Sequence, residues 1–195
     1  MKVGALPCWR VAPVLMAGID NNAARVLPLL LDRKFHALHS TLRTAWAVFV
    51  VALGRRTPES MARLRVGLRS VMEEYRVFPA PDTAASPEAE ATRRVLFQQE
   101  YAMLFQNVIT SERIGTHLIN MRWSVARFVK TKHSFLTSDR PFVMTNGIGH
   151  DNSHIAVPIS PTTCFIAAAT EAEERRLHSL STADFMFQMN DRMAR

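Results

Sequence analysis

In several segments between residues 20 and 120, apolar side chains recur every three or four positions, the spacing of amphipathic helices. The pattern predicts five helices, which begin at residue 20 and then cover residues 40–53, 57–75, 86–110 and 111–120. Pro28 falls inside the first, so that helix is expected to be short or kinked. Gly54 is expected to end the second, and Thr57 to cap the third.

After residue 120 the pattern changes to the alternation typical of strands. Three antiparallel strands are predicted, at Arg122–Val129, Phe135–Met144 and His154–Ala168, followed by a last helix from Thr182. The predicted fold is therefore α+β: a mainly helical body of four to five helices, packed on a small antiparallel sheet near the C-terminus, with a final helix.

The domain prediction separates two parts of the chain. Residues 1–18 are expected to be an irregular segment, because Pro7 and Pro13 disfavour a helix there. Residues 19–195 are expected to form one domain, helical over 19–120, with the sheet at 122–168 and the terminal helix at 182–195. The apolar residues of that helix, Phe187 among them, predict an under-packed surface and self-association.

Charge and composition narrow the function classes only coarsely. The 195-residue chain has a formal net charge of +7, which favours nucleic acid or another anionic partner. No apolar run reaches the ~20 residues of a membrane span, and two distant cysteines do not form a disulfide framework. A cytoplasmic location is expected, with Cys164 in the core. Since P-loop and dinucleotide motifs are missing from the sequence, no cofactor is predicted.

A polar quartet ending in Ser138, Asp139 and Arg140 interrupts the second predicted strand and supplies the candidate catalytic residues. A carboxylate beside a guanidinium can orient water, bind a metal or pair with a helix arginine. The structural alternative is a turn in which Asp139 accepts hydrogen bonds from its own downstream amides.

Arg55, Arg56 and Thr57 lie where one predicted helix ends and the next begins, and they are the candidate anion-binding residues. Two guanidinium groups beside the free amides of a helix start can hold an anion. Alternatively, the arginines only offset the dipole of the preceding helix. An interior ion pair between Asp139 and either arginine would unite the two motifs.

His150 and His154 are weak candidates for a metal site. Two histidines four residues apart face one metal when they lie on a helix. Here glycine and asparagine neighbours predict a loop, in which that spacing loses its meaning, so no metal site is predicted.

Several segments together resemble a bacterial family, domain of unknown function 4238. The matching segments, in chain order, are Asp20–Ala24, Ala45–Glu59, Trp123, Leu136–Pro141 and Val157–Pro161, with Asn190 as the family's late asparagine. The resemblance runs from about residue 19 onward. Family members usually open with a His-Tyr-x-Pro segment and continue beyond the late asparagine, so the chain is expected to correspond to the family's central portion. The resemblance implies a fold and brings no known reaction.

Two functions from different classes fit these observations. The first is a soluble bacterial domain that associates with nucleic acid and acts on a phosphodiester, with Asp139 and the Arg55–Arg56 pair as its polar centre. The second is a non-catalytic structural or protein-interaction domain, in which the Ser-Asp-Arg-Pro motif at residues 138–141 forms a turn or an ion pair.

Overall fold

The structure, a computed structural model, describes residues 8–74, 86–129, 131–147 and 149–194. The helices that precede the sheet are α1 (Cys8–Leu31), α2 (Ser40–Arg55), α3 (Pro58–Glu74), α4 (Pro87–Ile109) and α5 (Glu112–Asn120). Strands β1 (Arg122–Arg127), β2 (Val143–Thr145), β3 (His154–Ser160) and β4 (Thr163–Ala168) follow, and then helices α6 (Glu171–Ser179) and α7 (Thr182–Ala194). The architecture is α+β and mainly helical, as predicted.

The four strands form one antiparallel sheet in the order β1-β4-β3-β2, with β1 and β2 at its edges. Successive side chains of a strand point to opposite faces. On one face, Phe165 and Ala167 of β4 pack in a core with residues of α1, α2 and α5. On the other, Cys164 and Ile166 pack against α6 and α7. The sheet is therefore the middle of three layers.

A smaller apolar cluster joins the remaining helices to this body. Ile19 of α1, Ala52 of α2, and Phe105 and Ile109 of α4 are its buried members, with partly buried side chains of α3 around them. Within the described ranges, no helix is both long enough and apolar enough to cross a bilayer.

Two of the three predicted strands need correction. The predicted strand Phe135–Met144 is reduced to the three residues of β2. The quartet before Pro141 forms a turn instead, and proline has no N–H to give to a ladder. The predicted strand His154–Ala168 is the hairpin of β3 and β4, which turns at residues 161–162. A register shift between Pro158 and Ser160 precedes that turn.

Helix α1 corrects the prediction of an irregular segment for residues 8–18, and residues 1–7 lie outside the described part of the chain. Pro28 lies inside the same helix, which continues to Leu31. Val26 and Leu30 are fully buried, and burial of such side chains contributes roughly 1.5–3 kcal/mol each. That gain offsets the hydrogen bond lost at the proline. Helix α2 also continues one residue beyond Gly54.

Helix α6 was not predicted, although its start carries a recognisable signal. The Thr170 hydroxyl accepts a hydrogen bond from the Glu173 amide at 3.3 Å, and Glu173 is the third helical residue, as in a capping box. The final helix was predicted correctly from Thr182. Its apolar residues Phe185, Met186 and Met189 are buried against the sheet, so the predicted under-packed surface is wrong and self-association loses its basis. Only Phe187 of that predicted surface is exposed.

We expect Trp46→Ala to lower the free energy of unfolding by ~3–5 kcal/mol, the usual range for a buried tryptophan. Trp46 is 2% exposed, and its ring contacts Phe49 and, edge-on, Phe165 of β4. Urea unfolding measures the change. Phe187→Ala is the control, since that ring is 72% exposed and its removal should change stability by less than about 0.5 kcal/mol. Equal stability of both variants would contradict the core described above.

A candidate anion-binding cavity

A concave surface lined by several arginines lies beside the edge strand β2. It is a cavity of about 410 Å³, bounded by the end of α2, the start of α3, the loop before β2, and α7. Its charged lining residues are Glu59, Arg55, Arg63, Arg140 and Arg192. The four arginines and one glutamate give the lining a formal charge of +3. The floor is apolar and includes Val50, Phe142 and Ile155.

The start of α3 forms one wall of the cavity. The buried Thr57 side chain caps the helix, since its hydroxyl oxygen accepts a hydrogen bond from the Ser60 amide at 3.3 Å. Thr57, Glu59, Ser60 and Arg63 all line the cavity. The positive end of the helix dipole therefore adds to the charge of the arginines.

Gly54 lets the end of α2 approach the loop that precedes β2. A Cβ atom at this position would lie 2.9 Å from the end of the Phe142 ring, closer than van der Waals contact allows. Phe142 also lines the cavity. The missing side chain at Gly54 thus sets the position of an aromatic ring in the cavity floor.

The loop that supplies Arg140 is tied at two points. The Asn190 side chain of α7 accepts a hydrogen bond from the Leu136 amide and donates one to the Ser134 carbonyl, both at 2.9 Å. Further along, the Ser138 hydroxyl oxygen accepts from the Arg140 amide at 3.0 Å, which closes a local turn. Arg140 then forms an ion pair with Glu59 at the start of α3.

The two sequence motifs therefore meet, but through different residues from those predicted. Asp139 is exposed and has no ion pair among the described residues, so the interior pair with Arg55 or Arg56 is wrong. Arg56 instead makes a bidentate pair with Asp20 of α1, at 2.9 and 3.2 Å. The reason is geometric: a side chain at the tip of a tight turn points to solvent, while Arg140, just after it, points back toward α3.

Of the predicted site residues, Arg55, Thr57 and Arg140 line the cavity, whereas Arg56, Ser138 and Asp139 do not. Arg63 and Arg192 were missed. The sequence pointed to Arg63, because it lies four residues after Glu59 and so on the same face of α3. Nothing in the sequence pointed to Arg192, since only the tertiary fold brings α7 to this edge of the sheet.

A second polar cluster lies on the other side of Val143, within the layer of α6 and α7. The buried His154 Nδ1 lies 2.6 Å from Glu173 Oε1 and 2.9 Å from the Thr145 hydroxyl. Glu173 also accepts two hydrogen bonds from Arg176, at 2.6 and 2.7 Å. Burial lowers the pKa of His154, against the opposing effect of Glu173. The hydrogen bonds from Arg176 lower the pKa of Glu173.

The two candidate metal-binding histidines are placed differently. His150 is exposed in a turn, while His154 is the buried first residue of β3. In the described ranges, no group of three or more histidine, cysteine, aspartate or glutamate side chains is arranged to hold a metal ion.

Comparison with protein families connects these features to a known sequence group. The sequence profile of the family described as protein of unknown function (DUF4238) matches residues 14–195. The chain belongs to the DUF4238 family. No curated protein and no solved structure gives a significant match. Within this DUF4238 member, three of the segments that carry the resemblance contribute to the cavity or support it: the end of α2 with the start of α3, the loop before β2, and Asn190, which holds that loop.

We expect Asp139→Asn to change the melting temperature by less than about 2 °C, because an exposed turn residue keeps an acceptor oxygen after this substitution. Thermal unfolding followed by circular dichroism measures the change. Asn190→Ala is the comparison variant, since it leaves the Leu136 amide without its acceptor, and it should destabilise by about 1 kcal/mol or more. A large loss of stability from Asp139→Asn would instead support the buried ion pair of Asp139 that the structure does not show.

Acid should destabilise the fold in two steps. The pKa of His154 is lowered in the folded chain from its ordinary value of 6.5, so the unfolded chain binds more protons between the two values. The contribution of His154 to the free energy of unfolding is therefore fully present above pH 6.5, and it is lost as the pH falls toward the lowered pKa of the folded chain. Glu173, whose pKa is lowered from 4.5, adds a second loss below that pH.

The measurement is the free energy of unfolding in urea as a function of pH. His154→Asn should flatten the first step, because asparagine does not titrate, and His150→Asn should leave it in place. If the first loss of stability persists in His154→Asn, other titratable groups cause it.

Proposed function

We propose that this protein binds a phosphate-bearing ligand, either a nucleotide or the end of a nucleic-acid strand, in the arginine-lined cavity. The single observation that carries the proposal is the convergence of four arginines and one glutamate on an apolar-floored cavity at a capped helix start. Arginine is the side chain best suited to phosphate, because its planar guanidinium donates two parallel hydrogen bonds.

The balance of charge in the cavity favours an anion. Arg140 is paired with Glu59, but Arg55, Arg63 and Arg192 have no carboxylate partner among the described residues. Cations brought together without partners repel one another. A bound phosphate removes that repulsion, and it also accepts hydrogen bonds at the positive end of α3.

The volume of the cavity is large enough for one nucleotide. A volume of about 410 Å³ falls in the range of roughly 300–1,000 Å³ found for small-molecule sites. Phe142 and Met144 line the same cavity, so the apolar wall offers a surface for a base while the arginines take the phosphate.

A neighbouring recess supports a longer ligand. It has a volume of about 450 Å³ and shares Arg55, Ser60 and Arg63 with the first cavity. A strand that places its terminal nucleotide in the first cavity can direct its next phosphate toward this recess. The net charge of +7 favours such a polyanion at long range.

The function proposed for the cavity is ligand binding. Asp139 does not line the cavity, so its predicted role at the centre of a phosphodiester-cleaving site is not part of the proposal. The five charged groups that do line the cavity are one acid, Glu59, and four arginines that can serve as hydrogen-bond donors.

The second candidate function is a structural or interaction domain without a ligand. The Ser138 turn and the Arg140–Glu59 ion pair favour it, since both give the Ser-Asp-Arg-Pro motif a purely structural task. This alternative gives no binding role to Arg55 or Arg63, and those two residues therefore separate the hypotheses.

We expect Arg55→Gln and Arg63→Gln each to weaken binding of a nucleoside monophosphate and of a short single-stranded oligonucleotide by roughly tenfold or more, since hydrogen bonds to charged groups contribute ~1.5–3 kcal/mol. Calorimetry and fluorescence anisotropy at low salt measure the two affinities. Arg175→Gln is the matched control, because that side chain lies on α6 and is 74% exposed. The affinity for the oligonucleotide should also fall less steeply with increasing salt in both cavity variants than in the parent.

Gly54→Ala tests the cavity sterically in the same assays. The added methyl group displaces the Phe142 ring, while the alanine raises helix propensity by about 1 kcal/mol. Ligand affinity should fall without a matching loss of stability. If the parent binds neither ligand, or if all variants bind as the parent does, the structural alternative stands.

A further inference from the structure

A second, smaller cavity lies on the α6–α7 side of the sheet. Its volume is about 60 Å³, and its polar lining side chains are His154, Arg176, Gln188 and Arg192. Each of the four can donate a hydrogen bond. Glu173, the carboxylate of this region, contacts the Nδ1 atom of His154 and does not line the cavity. The remaining lining residues are apolar.

The hydrogen bonds of His154 determine which of its ring nitrogens is free. An ionised carboxylate only accepts hydrogen bonds, and its two bonds from Arg176 keep Glu173 ionised. His154 Nδ1, 2.6 Å from Glu173 Oε1, is therefore the protonated nitrogen. In the neutral ring the other nitrogen, Nε2, then carries a lone pair. Because Nδ1 is committed, Nε2 is the nitrogen that a ligand in this cavity can reach.

We propose that the small cavity is a site for a single protonated oxyanion of the phosphate class, with Arg176, Arg192 and Gln188 donating to its oxygens and His154 Nε2 accepting its proton-bearing hydroxyl. The site goes beyond the ligand of the larger cavity and does not require it. The two cavities share only Val143 and Arg192.

The acceptor nitrogen makes the site selective. Phosphate keeps at least one acidic proton near neutral pH and can donate a hydrogen bond to Nε2. Sulfate carries no proton there, so its oxygen would face the lone pair of a buried nitrogen. An unpaired or repulsive buried contact of this kind is a strong discriminator between ligands of the same shape.

The surroundings of His154 keep it neutral near neutral pH. The charged groups that face it are Glu173 and Arg176 from α6 and Arg192 from α7, while β2 contributes Thr145 and β4 the uncharged Ala168. Burial and both arginines lower the pKa of His154, and Glu173 opposes them. Once acid protonates the ring, Nε2 becomes a donor, and the preference for phosphate over sulfate should disappear.

The experiment uses the full chain carrying Arg55→Gln and Arg63→Gln, which weaken anion binding in the larger cavity. The test of the smaller cavity therefore holds even if the function proposed for the larger cavity is wrong. Inorganic phosphate and sulfate are titrated by calorimetry, and the ¹⁵N resonances of the histidine rings are followed by NMR. At neutral pH we expect phosphate to bind about tenfold more tightly than sulfate, and the His154 Nε2 resonance to move. Below the pKa of His154 the two affinities should converge.

His154→Asn is the matched variant, because its amide nitrogen can still donate to Glu173 while nothing replaces Nε2. The phosphate preference should fall to within about twofold, and His150→Asn should leave it unchanged. If His154→Asn does not fold, the proposal is still tested by two measurements on the protein that retains His154: the pH dependence of the ratio of phosphate to sulfate affinity, and the shift of the His154 resonance. Equal binding of both anions at neutral pH, or phosphate binding that leaves the His154 resonances in place, would overturn the proposal.

Discussion

The rest of the structure depends on the burial of strand β4 on both faces. All six residues Thr163–Ala168 are buried, so their backbone groups must be paired on either side, by β1 and β3. Their side chains alternate between two cores, and neither core exists without its helical layer. Phe165 makes this dependence explicit, since Trp46 of α2 and Trp123 of β1 both meet its ring edge-on. Helices from opposite ends of the chain are thereby needed to bury one strand.

The same burial explains which elements the sequence could predict. The helices have a polar face, so their period is visible, and α2 to α5 were predicted close to their observed bounds, whereas α1 begins well before the predicted start at residue 20. A strand covered on both faces loses its alternation and becomes one apolar run. The turn at residues 161–162 was therefore hidden inside the predicted strand His154–Ala168, with Pro158 and Pro161 as its only sign. The capping signal of Thr170 and Glu173 was present in the sequence and was overlooked.

The candidate site was predictable only where it is local. Arg55 and Thr57 could be found because a helix end and a helix start adjoin in the sequence. Arg140 was found as part of a motif, but its partner Glu59 lies about eighty residues earlier, and no pattern in one sequence links them. The ion pair predicted between Asp139 and Arg55 or Arg56 was wrong for a related reason. Which residue of a tight turn points inward depends on the local hydrogen bond of Ser138, which composition does not specify.

A three-layer arrangement also restricts where charge can lie. Charged groups in either core would lose their hydration, and only pairing would compensate that loss. They are tolerated at the border where the layers end, and here that border is the three-residue edge strand β2. Val143 of β2 separates the arginine cavity from the His154 cavity, and Arg192 borders both. A negative ligand on either side therefore changes the field at the same guanidinium group. If both cavities bind anions as proposed, we expect the two sites to be coupled through Arg192, and by linkage the effect on affinity is equal in both directions.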